Sequence, residues 1–552
     1  MSLWSTRWRW MRVRFTTAET DAYVAWGTLQ TLFPTRTACG ATYRSARGPF
    51  SLGDEEAWRC DQADARALDA AFSYSSPERA SLYERLAELL DLFPDTEAAC
   101  AAVAQGRTLS EAQLATLHRA IHLAIALDAA LAQASLRFSW WDSAAAPPFI
   151  QLVGGEPAFC LDALDATLRA ASDASARARL ALDQGKRNVS RALHEAYGRA
   201  MRRDGTLIAP LHDAREAEML RDPRLRLRLT TREERVYDVV EDAALTRATA
   251  QRDACEGVVR RLRAEVLARV SATLAKDSQT LDALMVQIGR LDDLFGRVAA
   301  RQRAGFVWSE LGDAPELYAG RPPFYAAFQP VDIALKTRVT LLTGMNMGGK
   351  SAALRTLLSA QLLHQWGAPV YASAYRAPLY KALRYIGGDQ QALDAGISTF
   401  AAEVLAIKEA LAEEDVFLCL DEVGRATNPQ EGEALLFAIL QKRQTARSGV
   451  TFAVTHFSRR LPGATHLTVR GISKEALAMC HTPEDLKTHM DYRLTKATGT
   501  ELRQGIAVAA WLGLPAALVA EASRFMRGDG QSEDVEGMQG ADCEDVACRR
   551  ED

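Results

Sequence analysis

The sequence of 552 residues lacks the features that mark secreted, membrane-spanning and cysteine-bridged proteins. No apolar run reaches the ~18 residues typical of a transmembrane helix, and the first residues lack the apolar core and cleavage site of a secretory signal. The nine cysteines are scattered and include no Cys-x-x-Cys pair, so neither a disulfide framework nor a cysteine zinc site is expected. These absences predict a cytoplasmic protein without a membrane partner.

Lysine is scarce as well, with 10 among the 66 basic residues and none before Lys186. A lysine inside a motif is therefore a stronger signal here than in most chains. The net charge of −4 does not predict a nucleic-acid binder, although a net value hides how the charges are distributed. The 48% of hydrophobic and 25% of charged residues are typical of an ordinary globular protein.

Changes in the spacing of apolar residues along the chain predict an order of domains. Helical spacing of apolar residues dominates the first half, and the alternating run at 224–230 predicts a short inserted strand. Short apolar strands then alternate with helical segments, which is typical of a parallel sheet with crossover helices. The predicted order is a β-containing segment (1–53), a helical core or lever domain (54–300), an α/β domain (301–490), a helical hairpin (491–527) and an acidic disordered tail (528–552).

The amino-terminal run WSTRWRWMRVRF (4–15) alternates tryptophan with arginine. Such a pattern is compatible with a nucleic-acid or membrane-binding arm. It is equally typical of a half-buried first strand, or of a start site placed before a true initiator at Met11. We favour these last two interpretations over a functional arm, because no other feature supports such an arm.

The strongest motif is GMNMGGKS, at 344–351, which satisfies G-x-x-x-x-G-K-[ST]. It follows the apolar run 339–343 and precedes a helical pattern, so the motif has the strand–loop–helix context that a phosphate-binding loop requires. Backbone N–H groups of such a loop approach phosphate oxygens, the lysine pairs with the β- and γ-phosphates, and the serine hydroxyl helps to hold Mg²⁺. The residues expected to bind the nucleotide are Gly344, Met347, Gly348, Gly349, Lys350 and Ser351.

Two later strands end in residues that suit the same chemistry. VFLCLDE (416–422) delivers Asp421 and Glu422 to the carboxyl edge of a sheet, where ligands bind in open α/β folds. Asp421 is expected to hold Mg²⁺ together with Ser351, and Glu422 to act as general base on the attacking water. GVTFAVTH (449–456) ends in His456, which we interpret as a catalytic sensor of the γ-phosphate.

Four motifs in order, GMNMGGKS, ISTFAAEV (397–404), CLDEVGRATNP (419–429) and AVTHF (453–457), resemble the ATPase domain of the MutS family. The resemblance covers roughly residues 300 to 527. It implies an ABC-type P-loop ATPase domain, with a parallel-rich sheet flanked by helices, beside a mainly helical lever domain. It also implies ATP and Mg²⁺ as ligands, and a helix–turn–helix dimerisation element at 491–527.

The resemblance implies roles for three further residues. Asn346 corresponds to an asparagine that positions the γ-phosphate. Ser398 corresponds to a signature serine that reaches the nucleotide on the opposite subunit, so a homodimer, or a heterodimer with a MutS-like paralogue, would be needed for catalysis. Phe328 aligns with an aromatic residue that stacks on adenine, and plain core packing is an equal alternative for it.

Two functions stay open at this point. The family's role is a DNA-binding clamp in mismatch repair or branched-DNA sensing, but the chain has no Phe-x-Glu mismatch wedge, so the mismatch-reading domain is not expected here. The segment ATNPQEGEAL (426–435) is closer to the second bacterial MutS subfamily and to short MutS-like proteins encoded beside cobalamin-dependent aminomutases. The alternative is therefore an ATP-dependent reactivase that remodels an adenosylcobalamin-dependent aminomutase as its protein client.

DNA binding would have to rest on arginines of the helical region. An arginine-rich chain also places arginine on every solvated face, and acidic residues share these segments, so we favour the interpretation as an ordinary solvated surface. The arginines concerned are Arg224, Arg226, Arg228, Arg247, Arg252, Arg260, Arg261, Arg263 and Arg269.

Overall fold

A computed structural model describes most of the chain, and its contacts divide it into two compact units. One, which we call the helical unit, comprises 35–46 and 71–293; the other, the sheet unit, comprises 15–34, 47–70 and the chain from 294 onward. The described residues are 15–72, 77–155, 158–202, 204–322, 329–344, 349–387, 399–425, 427–457, 459–480, 482, 489–497 and 504–525.

Helices and strands are numbered in chain order over the described residues. The helices are α1 (Ala18–Val24), α2 (Trp26–Gln30), α3 (Ala38–Arg47), α4 (Glu55–Ala71), α5 (Pro77–Asp91), α6 (Glu97–Ala104), α7 (Glu111–Gln133), α8 (Pro147–Val153), α9 (Ala166–Tyr197), α10 (Glu216–Met219), α11 (Ala243–Lys276), α12 (Ser278–Arg301), α13 (Lys350–Gln365), α14 (Thr399–Ala412), α15 (Pro429–Gln444), α16 (Lys474–Met479), α17 (Gln504–Trp511) and α18 (Ala516–Phe525). The strands are β1 (Thr206–Pro210), β2 (Leu225–Thr230), β3 (Glu234–Val239), β4 (Phe306–Val307), β5 (Glu310–Leu311), β6 (Glu316–Gly320), β7 (Val331–Ala334), β8 (Val339–Thr343), β9 (Val370–Tyr371), β10 (Ala374–Ala377), β11 (Ala382–Gly387), β12 (Val416–Asp421), β13 (Val450–Val454), β14 (Thr465–Gly471) and β15 (Asp491–Lys496).

The helical unit is built around two long helices, α9 and α11, which pack against each other. Each begins at an aspartate, Asp165 and Asp242, whose side chain accepts hydrogen bonds from the first free N–H groups of the helix. Between them in the chain lies a small antiparallel sheet in the order β1–β3–β2. It includes the strand predicted at 224–230, and Tyr237 and Leu207 close its small core.

Helix α7 is the one described helix long and apolar enough to cross a membrane by length and composition. Half of its most apolar window is buried inside the protein, which is typical of a core helix. Its buried face includes Leu114, Leu117, Ile121 and Leu127, at helical spacing. Neighbouring helices α5, α6 and α8 cover that face.

The sheet unit contains a six-stranded sheet in the order β11–β12–β13–β8–β14–β15. All neighbours are parallel except β15, which pairs antiparallel with β14. Every residue of β12 is buried, because both faces of the sheet are covered. Phe417 and Cys419 face the core shared with α13, while Leu418 and Leu420 face the core shared with α15. The predicted α/β domain with a parallel-rich sheet and the mainly helical part are thus confirmed.

The strand register aligns the ends of the three central strands. Asp421 of β12 pairs with Val454 of β13, and Val454 pairs with Leu342 of β8. The carboxyl ends of parallel strands meet at one edge, so the loops after β8, β12 and β13 leave the sheet side by side. This edge holds the candidate site.

The unit boundaries differ from the predicted domains in three places. The described part of the predicted β-containing segment, 15–53, forms helices and connections, while the predicted strand at 4–14 lies outside the described residues, as does the predicted disordered tail. Helix α4, predicted within the helical domain, belongs to the sheet unit because the Trp58 indole donates to the His364 carbonyl at 2.9 Å. Residues 491–496, predicted within the helical hairpin, form β15 of the sheet.

Candidate functional site

The described ends of the predicted phosphate loop, Gly344 and Gly349, follow β8 and precede α13 at the carboxyl edge of the sheet. Gly344 and Gly349 have φ values of +133° and +71°, in the region that side chains disfavour. A Cβ at Gly349 would lie 2.8 Å from the Tyr492 ring, so no larger residue fits there. Gly349 is the residue before the first turn of α13, and the N–H groups of this helix start therefore face the loop.

Lys350 is almost fully buried at the start of α13, with 3% of its surface exposed. Its Nζ donates to the Gly344 carbonyl at 2.6 Å and lies 3.9 Å from Oε1 of Glu422. Burial lowers the pKa of Lys350, and the nearby carboxylates of Glu422 and Asp421 oppose that shift. The lysine charge is thus only partly compensated within the chain, as expected of a group that binds an anion.

Ser351 and Asp421 lie together beside the loop. The Ser351 hydroxyl donates to Oδ1 of Asp421 at 3.3 Å. Burial raises the pKa of Asp421, and the neighbouring charge of Glu422 raises it further. A hydroxyl and a carboxylate are oxygen ligands that suit Mg²⁺, which takes few ligands from the protein and the rest from phosphates and water. The described residues contain no group of three or more His, Cys, Asp or Glu side chains that could hold a metal ion.

Glu422 follows β12 in a strained backbone conformation. Its φ is +52°, a value that few residues other than glycine adopt. The Glu422 N–H donates to the Val454 carbonyl at 2.9 Å, which fixes the turn. One carboxylate oxygen faces Lys350, and the other accepts a hydrogen bond from Arg425 at 2.5 Å. Strain of this kind is found at functional sites, where the surrounding structure enforces it.

The turn after Glu422 rests on a close contact between two glycines. A Cβ at Gly432, in the first turn of α15, would lie 2.2 Å from the Gly424 carbonyl oxygen. The Gly424 N–H lies 3.3 Å from both carboxylate oxygens of Glu403 on α14. Burial raises the pKa of Glu403. The turn is therefore held from two helices.

Sequence reasoning missed Glu403, Arg425 and a tyrosine pair beside Asp421. Tyr385 of β11 donates to Oδ2 of Asp421 at 3.4 Å, and its ring stacks on that of Tyr23 from α1. Arg425 lies three residues after Glu422, so a motif that includes the turn after Glu422 could have identified it. The tyrosines were not, because they contact the site only through tertiary structure.

The predicted site residues have three outcomes. Gly344, Gly349, Lys350, Ser351, Asp421 and Glu422 meet at one edge of the sheet. His456 follows β13 at the same edge, with an exposed side chain, and its role stays a prediction. Outside the described residues lie Phe328, Asn346, Met347, Gly348 and Ser398.

Comparison with known proteins agrees with this geometry. Residues 340–528 match MutS domain V. The chain is 29% identical over 279 residues to the DNA mismatch repair protein MutS of Thermus aquaticus, an alignment that covers 49% of this chain and 33% of the relative. It is 31% identical over 272 residues to the endonuclease MutS2 of Pelotomaculum thermopropionicum, covering 47% and 33%.

A second MutS2, from Thermus thermophilus, is 36% identical over 185 residues, covering 32% of this chain and 24% of the relative. The chain thus spans about a third, or less, of the length of these relatives. The matched region contains the phosphate loop, Asp421 and Glu422, in the order and at the edge described above. The chain thus shares MutS domain V with proteins of the MutS family.

Proposed function

We propose that this protein binds and hydrolyses ATP with Mg²⁺ at the carboxyl edge of its six-stranded sheet. The observation that carries the proposal is the convergence of Lys350, Ser351, Asp421 and Glu422 at the ends of β8 and β12. The domain is proposed to work as an ABC-type P-loop ATPase, in which hydrolysis of ATP to ADP and phosphate drives a conformational change.

Different residues of the chain would bind the phosphates, hold Mg²⁺ and accept the proton of the attacking water. The start of α13 and the Lys350 ammonium would bind the phosphates, since both present positive charge to the loop. The Ser351 hydroxyl and the Asp421 carboxylate would hold Mg²⁺, which when bound neutralises charge on the phosphate oxygens. Glu422 would accept the proton of the attacking water, because its carboxylate lies at the same edge as the lysine.

The active form is proposed to be a dimer, either a homodimer or a pair with a MutS-like paralogue, with Ser398 completing the site of the opposite subunit. The proposed client is DNA, in mismatch repair or a related process, because the relatives are named DNA mismatch repair proteins and MutS2 endonucleases. A cytoplasmic location is supported by the free thiols of the cysteines within the described ranges.

The test is steady-state ATP hydrolysis by the purified protein, alone and with duplex, mismatched or branched DNA. We expect Mg²⁺-dependent hydrolysis that DNA stimulates, with stimulation that weakens as salt rises. The variant Lys350→Ala should lose nucleotide binding, measured with a fluorescent ATP analogue. Nucleotide binding by Lys350→Ala at wild-type affinity would contradict the proposed site.

The reactivase function remains the alternative outcome of that experiment. The relatives reported above give it no specific support, since their names concern DNA. ATP hydrolysis indifferent to every DNA would contradict the DNA-clamp proposal and would direct attention to a protein client.

A further inference from the structure

The edge strand β11 is capped by the chain that leads into and through α1. Three alternate N–H groups of β11 point away from β12 and would be unpaired at a bare sheet edge. Each instead donates to this amino-terminal segment. The pairs are Leu383 N–H to the Phe15 carbonyl at 2.8 Å, Tyr385 N–H to the Thr20 hydroxyl at 3.0 Å and Gly387 N–H to the Glu19 carboxylate at 3.3 Å.

A pair of stacked tyrosines extends this cap toward the phosphate loop. The rings of Tyr23 and Tyr385 are parallel within 13°, with centroids 3.6 Å apart. The Tyr23 hydroxyl donates to the backbone carbonyl of Ser351 at 2.7 Å. Arg355 of α13 holds the pair in place, since its Nε donates to the Tyr23 carbonyl at 2.6 Å and its guanidinium lies 5.0 Å from the Tyr23 ring centre.

The same pair reaches both residues of the proposed metal site. Tyr385 donates to Oδ2 of Asp421 at 3.4 Å, while the Ser351 hydroxyl faces Oδ1 at 3.3 Å. One tyrosine therefore contacts the Asp421 carboxylate and the other contacts the Ser351 backbone. Both Asp421 oxygens have a fixed hydroxyl neighbour, so rotation of the carboxylate is restricted.

We propose that Tyr385, held in place by Tyr23, is a positioning residue for the magnesium site and ties that site to the amino-terminal helix α1. The inference rests on the proposed function, because it assumes that Ser351 and Asp421 hold Mg²⁺. Tyr23 lies outside residues 340–528, so part of the support for the metal site comes from beyond the matched domain. Any ligand or partner that displaces α1 would lower the metal affinity of the ATPase site.

The test measures Mg²⁺ dependence with the full chain. Tyr385→Phe keeps the stacked ring and removes only the hydroxyl that faces Asp421. We expect the Mg²⁺ concentration at half-maximal nucleotide binding to rise by about threefold or more, which is at the lower end of the range for the loss of one hydrogen bond and suits the 3.4 Å length of this one. Fluorescent ATP-analogue binding is followed during a Mg²⁺ titration, and binding in EDTA should be unchanged.

Tyr23→Leu removes the stack and tests whether Tyr23 acts through Tyr385. It should raise the half-maximal Mg²⁺ concentration in the wild-type background, and by much less in the Tyr385→Phe background. Tyr318→Phe is the matched control, because Tyr318 is 45% exposed on β6, and it should leave the titration unchanged.

The outcomes separate this inference from the proposed function. A wild-type protein whose nucleotide binding ignores Mg²⁺ would overturn the proposed metal site and this inference with it. If nucleotide binding by the wild type depends on Mg²⁺, and Tyr385→Phe and Tyr23→Leu both give the same Mg²⁺ titration curve as the wild type, the positioning role alone is overturned. Thermal denaturation checks that each variant is folded. If Tyr23→Leu unfolds, Tyr23→Phe replaces it; this variant keeps the stack and removes the hydrogen bond to the Ser351 carbonyl, and it should also raise the half-maximal Mg²⁺ concentration.

Discussion

An ion pair of the sheet unit and an ion pair of the helical unit hold their charges in opposite environments. In the sheet unit Arg297 is 1% exposed, donates to both carboxylate oxygens of Asp61 at 2.5 and 2.9 Å, and also donates to a backbone carbonyl. In the helical unit Arg226 is 76% exposed and lies 3.8 Å from Asp238. Burial of both side chains, and not the presence of a partner, separates these two ion pairs.

Buried charges of the sheet unit are themselves of two kinds. Arg297 and Asp61 pair within the chain. For Lys350 and Asp421, burial shifts each pKa against the charged form, and the surrounding residues compensate only in part. Buried groups whose charged form is disfavoured by their surroundings are candidates for ligand binding. At Lys350 and Asp421 these shifts coincide with the motif and with the carboxyl edge of the sheet, and the three observations together support the nucleotide site.

Most of the nine arginines of the helical unit that were considered for DNA binding have a carboxylate nearby. Six of the nine arginines proposed for DNA binding lie within ion-pair distance of an acid, which supports the interpretation as a solvated surface. The pairs are Arg224–Asp222, Arg226–Asp238, Arg228–Asp238, Arg252–Asp253, Arg263 with Glu111 and Asp162, and Arg269–Asp165.

The largest effect on stability is expected at the buried pair of the sheet unit. Arg297→Met should lower the free energy of unfolding by about 3–5 kcal/mol, because it leaves the Asp61 carboxylate buried without its partner. Urea denaturation measures the loss. Adding Asp61→Leu should recover part of it, since no charge then remains buried, and a double variant as unstable as the sum of both would contradict this account.

A smaller effect on stability, and of opposite sign, is expected at Asp421, a buried carboxylate of the proposed metal site. Because the pKa of Asp421 is raised, the native state binds its proton more tightly than the unfolded state, and stability falls as the pH rises through that native pKa. Asp421→Asn removes this cost at pH 7. The nucleotide-free variant should melt roughly 1–2 °C higher if the cost is about 1 kcal/mol, because the shift per kcal/mol becomes smaller as the unfolding unit becomes larger.

Asp415→Asn is the control for Asp421→Asn. The hydrogen bond from Lys381, at 2.7 Å, lowers the pKa of Asp415, so its charge stabilises the native state, and this contribution is lost as the pH falls through that pKa. The melting temperature of Asp415→Asn should therefore fall slightly at pH 7. Equal shifts of the same sign in both variants would refute the distinction between ligand-binding and structural charges.

The smallest effect is expected on the surface of the helical unit. Arg226→Met should change the free energy of unfolding by less than about 0.5 kcal/mol, since the pair with Asp238 is exposed. The same variant should leave DNA-stimulated ATP hydrolysis unchanged. A loss of stimulation would instead show that this strand face contributes to DNA binding despite its carboxylate neighbour.

Local sequence predicted the parts of the site that depend on neighbouring residues. The glycine-rich loop between β8 and α13 and the acidic pair after β12 follow from strand, turn and helix signals within short segments. The closeness of the glycine-rich loop and the acidic pair followed from the rule that the carboxyl ends of parallel strands lie at the same edge of a sheet.

Other parts depend on contacts between segments distant in the sequence. Helix α4 has the sequence of an ordinary amphipathic helix, and its contacts with the sheet unit, such as those of Trp58 with His364 and Asp61 with Arg297, assign it to that unit. The Tyr23–Tyr385 stack joins residues more than 300 positions apart. Strand β15 has alternating polarity in a segment whose resemblance suggested a helical hairpin, and its pairing with β14 decides its structure. Local propensity does not reveal such tertiary contacts.

The most direct test of the central claim compares nucleotide binding and turnover in Glu422→Ala. The account predicts ATP binding close to wild type and a fall in steady-state hydrolysis of about a hundredfold or more, because the general base is gone and the phosphate loop is intact. Glu409→Ala, an exposed glutamate on α14, should retain both. Hydrolysis by Glu422→Ala at the wild-type rate would contradict the assignment of this sheet edge as the site of catalysis.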